Sequence, residues 1–342
     1  MNIQYHNTRG SRTRYYTLAA VIAAAIILAA FTTLAYVRAQ GVAYLSGGAQ
    51  VKRHEHMIHG CAGNPWQYRV LSAYLLEGLV RLCRLAGASR PYLLAFVTFR
   101  FLQDAAIFLA AVMYFKKLGL SLPHAIIGIM ILAWGISYSH YHSDLQFSTF
   151  FDILFYLLAG SAIISNAAIW ILPITVLGAF NRETSGLIPF MYLAATFAAG
   201  PARSRVKALR FAGLIIGLYI LVFVGLRLAH GHQKLITPAS NTPGLALLRY
   251  NLLRSITWWQ WLATFSLVPF LALLGYRSWP VHLRVFFWVV APAWYAVHLV
   301  AAVMAETRVL LVPQALVSIP GALIFAQQTA RGELRDHVHN TG

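Results

Sequence analysis

The stretch IWILPITVLGAFNRETSGLIPFMYLAATFAA (residues 169–199) sets four polar residues, Asn181, Arg182, Glu183 and Thr184, between two apolar runs. A carboxylate and a guanidinium this close to hydrocarbon are costly unless they face protein or water, so such a pair marks a functional site by default. The runs themselves are short. As helices they reach about 20–23 Å at 1.5 Å per residue, against a hydrocarbon core of about 30 Å. Their shared polar tip is therefore expected below the outer surface, in a cavity open to that side.

Moving outward, apolar runs of spanning length recur through all 342 residues, of which 59% are hydrophobic and only 11% charged. Mean hydropathy is +0.64, and a soluble domain would carry about 25% charged residues. The chain reads as an all-α, polytopic integral membrane protein. No polar block is large enough to bury a core of its own, so one transmembrane domain, 16–328, is expected between tails at 1–15 and 329–342. The net charge of +18 suits anionic lipid or an anionic substrate. Nucleic acid is excluded as a partner because the basic residues are scattered among the spans. Cys61 and Cys83 permit one disulfide or two free thiols.

The first apolar run, 16–37, is longer than a signal-peptide core and is followed by Arg38 and Gln40 rather than small cleavage-site residues, so it reads as an uncleaved span. An outer loop, 38–90, follows. Within it, Leu71, Tyr74, Leu75, Leu79 and Leu82 recur at helical spacing beside Glu77, Arg81 and Arg84, the pattern of an amphipathic interfacial helix over 70–85. Further spans are expected near 91–115, 121–138, 147–165, 167–180, 185–199, 211–229, 258–276, 285–304 and 309–328, with a second outer loop at 230–257. That makes about ten. Lys116, Lys117 and the basic residues at 203–210 then lie in the cytoplasm, as do both termini.

On this topology Glu55, Asp144, Glu183 and Glu306 share the outer face with Arg69, Arg182 and Arg308. Polar residues from four loops converging on one side look like a site on a membrane scaffold, although outer loops collect polar residues in any case. Guanidinium forks suit a phosphate-bearing lipid. Arg100 and Asp104, four apart, are expected to neutralise each other inside the membrane. Asp152 either faces the cavity or caps its helix. His54 with His56, and His140 with His142, are spaced to grip a divalent metal ion, with Glu55 or Asp144 as further ligands; the spacing matches no closed zinc motif. Surface histidines or polar contacts to substrate are the alternative.

Taken as a set, Gln67-Tyr68-Arg69-Val70-Leu71, Ser143-Asp144-Leu145, Asn181-Arg182-Glu183-Thr184 and Glu306-Thr307-Arg308 resemble the ordered motifs of a family of poorly characterised bacterial multi-pass membrane proteins linked to cell-surface glycopolymers. The resemblance spans about 65–315. That family is similar to the GT-C glycosyltransferases, which take sugar from a polyprenyl-phosphate donor at the outer face of the membrane. The resemblance implies a GT-C-like fold in a bacterial inner membrane, and inverting transfer to a cell-surface glycan or lipid acceptor.

It also implies an acidic residue in the first outer loop. Here the only acid before the interfacial helix is Glu55, flanked by histidines, so Glu55, Asp144 and Glu183 all stand as candidates for the base. Tyr68, Arg69, Asn181, Arg182, Glu306 and Arg308 are the expected substrate-binding residues, with Glu183 and Glu306 able instead to hold the adjacent arginines. A translocator or export partner for lipid-linked glycans would use the same cationic cavity without bond cleavage. A metal-binding or redox protein would use the histidine pairs.

Overall fold

In hydrocarbon a helix satisfies its backbone N–H and C=O groups within itself, and among the described residues the chain forms helices and no strand. The computed structural model describes residues 8–140, 147–201, 204–235 and 242–340, with side chains between 16 and 330. The helices are α1 (Thr8–Gln40), α2 (Val42–Gly47), α3 (Ala49–Ile58), α4 (Val70–Leu85), α5 (Pro91–Lys117), α6 (Leu122–Tyr138), α7 (Phe147–Ile164) and α8 (Ile171–Asn181). There follow α9 (Ile188–Ala199), α10 (Arg205–His230), α11 (Leu245–Leu253), α12 (Ser255–Phe265), α13 (Val268–Leu274), α14 (Val281–Ala301) and α15 (Thr307–Ala330).

Six of these are long and apolar enough to cross a membrane: Tyr16–Gln40 of α1, then α5, α7, α10, α14 and α15. The α12–α13 pair, bent by 69° at its break, makes a seventh if it counts as one span. The architecture is that of a multi-pass membrane protein. Reaching ten required α6 and both arms of the polar turn to count as spans. Yet α6 has 17 residues, and α8 and α9 have 11 and 12. The two arms thus rise about 17 and 18 Å, less than their apolar runs suggested, because α8 begins only at Ile171, after a 3-10 turn at Ala168–Trp170, and α9 only at Ile188.

Burial sorts the bundle. In α15 and α7, 83% and 78% of the apolar window is buried, against 11% in α10 and 22% in α1, so α7 and α15 form the centre and α10 and α1 the periphery. The buried charges of the interior are paired, as a dry medium requires. Arg100 lies 3.8 Å from Asp104 and 3.5 Å from the Phe150 ring centroid, and Thr32 donates to Asp104 at 2.8 Å. The expected i, i+4 pair thereby joins α1, α5 and α7. In α15 the backbone widens into a π turn, Gln314–Ser318, and the Tyr114 hydroxyl donates to the Leu316 carbonyl there at 2.8 Å.

The 38–90 segment is a folded cap whose Leu45, Val51, Leu76 and Val80 form a small core with Tyr36 of α1, Phe96 of α5 and Phe147 of α7. Helix α4 turns Ser72, Ala73, Leu76, Val80 and Cys83 onto the protein while Tyr74, Leu75 and Leu82 stay exposed. A helix with protein on one side and an apolar face outward is what an interfacial position requires. Cys61 is exposed and Cys83 buried, and both are free thiols.

A second clamp fixes the end of α14. Asn251, 1% exposed, donates to the carbonyls of Leu299 and Ala302, both at 2.8 Å, and accepts from the Met304 amide at 2.9 Å. Asn251→Ala leaves those backbone groups unsatisfied and is expected to cost about 2 kcal/mol or more. Heat unfolding in detergent checks this; an unchanged midpoint would mean that the clamp is dispensable.

Candidate functional site

The polar turn is built by backbone first. Arg182 adopts an extended conformation (φ −158°, ψ 154°), which ends α8, and a 3-10 turn, Glu183–Leu187, leads into α9. The turn folds back tightly: Ser185 Oγ donates to the Arg182 carbonyl at 2.8 Å, and a Cβ at Gly178 would stand 2.7 Å from that of Ser185. Only glycine fits there. Two tyrosines hold the turn from outside, Tyr156 donating to the Thr184 carbonyl at 2.5 Å and Tyr219 to the Glu183 carbonyl at 2.7 Å.

Because of the extended residue, Arg182 and Glu183 go to different partners. Three residues of the turn converge on Asp152 of α7. Asn181 Nδ2 donates to Oδ1 at 2.8 Å, the Thr184 hydroxyl to Oδ2 at 2.8 Å, and Arg182 Nη1 lies 3.2 Å from Oδ2. Asn181 also donates to the Ser148 carbonyl at 2.7 Å. Asp152 is thus the anchor of the turn rather than a helix cap, and the sequence alone left that choice open.

Glu183 faces two arginines instead of its neighbour. Arg69 Nη2 donates to Oε2 at 3.1 Å, and Arg227 Nη2 lies 3.9 Å from Oε1. Arg227 sits in the last turn of α10, its guanidinium 4.6 Å from the Tyr68 ring centroid. Tyr68 in turn donates to the Gly231 carbonyl at 2.9 Å, and the Asn64 amide to the Lys234 carbonyl at 2.9 Å, so the cap is fastened to the segment that follows α10. Burial pushes the Glu183 carboxyl up, but the Arg69 and Arg182 guanidiniums and its own backbone amide outweigh that and hold it below the usual carboxylate value. Its side chain remains 30% exposed.

Arg308, 3% exposed, bonds to Glu306, as the sequence allowed. Its charge acts on Arg182, on Arg100 and on Arg53 of the cap, which places it among those guanidiniums. Arg69 and Arg182 each keep a buried Nε with no hydrogen-bond partner. The described residues therefore bring together Arg69, Arg182, Glu183, Glu306 and Arg308, with Tyr68 and Asn181 as supports. They also add Asp152, Arg227, Tyr156 and Tyr219. Of these additions, Arg227 carried a sequence signal, a lone guanidinium in an apolar run.

Glu55 is elsewhere. It accepts from the Tyr92 hydroxyl at 2.9 Å, a group that also accepts from Arg84 at 2.7 Å. His54 is bound to Glu77 at 3.0 Å; burial lowers its pKa in spite of that carboxylate. His56 is exposed. His140 packs on Tyr36, ring centroids 5.4 Å apart, and burial, then Arg100, pull its pKa down to about 4. Among the described residues no group of three His, Cys, Asp or Glu side chains is arranged to hold a metal ion. Asp144 and His142 lie outside the described residues. No protein-family model, curated protein or solved structure matches this chain.

Proposed function

We propose that this protein is a membrane glycosyltransferase of the GT-C-like kind, moving a sugar from a polyprenyl-phosphate donor to a cell-surface glycan or lipid. The reading takes the bundle as about ten spans in a bacterial inner membrane, both tails cytoplasmic and the polar turn open to the outer side. The observation that carries it is the pair Arg69 and Arg182. Each holds a buried, unused Nε–H, and both border a part-exposed carboxylate on one turn. Guanidinium donors of this kind pair with phosphate oxygens and stabilise the charge that develops as a phosphate departs.

In the reaction, the acceptor hydroxyl loses its proton to a base while its oxygen bonds to the anomeric carbon. The bond from that carbon to the phosphate oxygen breaks, and polyprenyl phosphate leaves with the electron pair. Transfer inverts the anomeric centre. Glu183, held ionised by its arginines, is a weak proton acceptor, and its part is to hold Arg69 and Arg227 towards the phosphate.

The test is direct. Full-length protein in lipid nanodiscs is given a radiolabelled hexose on undecaprenyl phosphate, with water, octyl glucoside or cell-envelope glycan as acceptor, and donor binding is measured in parallel. Release or transfer of hexose is expected. Tight donor binding without cleavage under every acceptor would move the protein to the translocators.

A further inference from the structure

We infer that the groove between α1, the end of α5 and the start of α6 holds one anionic phospholipid, its phosphate on Lys116 and Lys117 and an acyl chain along the apolar wall. The groove has a volume of about 540 Å³, inside the range of ligand sites, roughly 300–1,000 Å³. Leu18, Val21, Met113 and Leu122 line it together with the two lysines. No lining residue is acidic.

Its place in the bundle sets an apolar wall below a charged rim. The α1 span begins at Tyr16 and the α5 span ends at Lys117, so the groove opens where hydrocarbon gives way to headgroups. Leu18, Met113 and both lysines are exposed. Towards the other end of α1, Tyr36 joins the cap core, and the helix from Thr17 to Tyr36 rises about 28 Å. That is close to one hydrocarbon thickness, about 30 Å. The groove and the polar turn beneath the cap therefore lie at opposite ends of the bundle, and the lipid site stands whatever reaction the turn performs.

One of the two charges is held in place and neither is cancelled. Lys117 Nζ donates to Ser165 Oγ, just beyond the end of α7, and a neutral hydroxyl positions the ammonium without neutralising it. Among the described residues neither lysine is paired with a carboxylate. The turn from α5 to α6 that frames the rim is fixed by Gln327 of α15. Its Oε1 accepts from the Ser121 amide at 2.9 Å, and its Nε2 donates to the Gly119 carbonyl at 3.3 Å. Two ammonium groups above an apolar trough match a phosphodiester that carries acyl chains, and basic pockets between transmembrane helices recognise anionic headgroups in this way. A soluble phosphate would leave the apolar wall unused. A zwitterionic headgroup would bring its own cation against the lysines.

The experiment titrates full-length protein, stripped of lipid in a neutral detergent, with palmitoyl-oleoyl phosphatidylglycerol and counts bound lipid by native mass spectrometry. Parallel titrations use phosphatidylcholine with the same chains, and glycerol phosphate, a headgroup without chains. One phosphatidylglycerol is expected to bind more tightly than further copies and more tightly than phosphatidylcholine. Lys116→Gln/Lys117→Gln is expected to weaken it about fivefold per lysine, roughly 25-fold together. Leu18→Trp and Met113→Trp, at exposed positions that tolerate a ring, each crowd the groove and should weaken it too. Lys207→Gln/Arg210→Gln changes two exposed basic residues of α10 and should leave it unchanged. Heat unfolding without added lipid verifies that each variant is folded. Equal affinity for phosphatidylcholine, an equal loss in the α10 pair, or full binding by both Trp variants overturns the assignment, since each describes a diffuse basic surface and not this groove. Glycerol phosphate binding as tightly as the lipid overturns it as well, because the acyl chain would then contribute nothing.

Discussion

Replacing Arg182 by Met is expected to destabilise the fold by about 3–5 kcal/mol, the range for removing one partner of a buried ion pair. The size follows from where Asp152 sits. Its side chain is 1% exposed, in a helix whose apolar window is 78% buried, so its charge has no water to fall back on. Without Arg182 the carboxylate keeps two neutral donors, Asn181 and Thr184, which do not neutralise it. The double variant Arg182→Met/Asp152→Asn should recover much of the loss, because an amide in that place can accept from Asn181 through its oxygen, donate to the Thr184 hydroxyl through its nitrogen, and leaves no orphaned charge. Heat unfolding in detergent reads both results. A single variant with an unshifted midpoint would show that the pair does not hold the turn. A double variant no better than the single would show that the loss lies in packing.

That prediction could not have been written from the sequence, for a specific reason. Hydropathy makes Asn181–Thr184 visible as four polar residues in an apolar run, and spacing makes Arg100 and Asp104 visible as a pair. Both are local signals and both hold. Partner choice is not local. Arg182 and Glu183 are adjacent in sequence, but the extended backbone at Arg182 sends one towards α7 and the other towards the cap. Asp152 lies 32 residues before its Thr184 donor, a separation that carries no periodic trace.

Length alone supports six or seven spans rather than the expected ten for a similar reason: an apolar run records what hydrocarbon tolerates, not where regular helix begins, and here α8 starts only at Ile171 and α9 only at Ile188. Glu55 was a fair candidate as the cap's lone acid before α4. Only the fold shows that its carboxylate is bonded to the Tyr92 hydroxyl, which Arg84 holds in turn.

Arg69→Ala is expected to weaken binding of the undecaprenyl-phosphate donor by about 2–5 kcal/mol, roughly 30-fold to several thousand-fold in Kd. The loss has two sources. A donor fork for the phosphate disappears, and Glu183, left with Arg227 at 3.9 Å, becomes a poorly neutralised anion at the place where another anion must bind. Arg69→Lys should fall between, since an ammonium keeps the charge and loses the planar fork. Glu183→Gln then separates the two sources: in the Arg69→Ala background it removes the opposing charge and should restore part of the affinity.

The same carboxylate sets an acid limit. Its folded pKa is depressed below the ordinary 4.5, so its contribution to stability is complete above that value and is lost as pH falls through the lower folded value. Wild type should therefore lose unfolding temperature in acid more steeply than Glu183→Gln does. Donor affinity that is unchanged in Arg69→Ala would remove this arginine from the phosphate site. Parallel acid profiles for wild type and Glu183→Gln would show that the pair with Arg69 does not stabilise the fold.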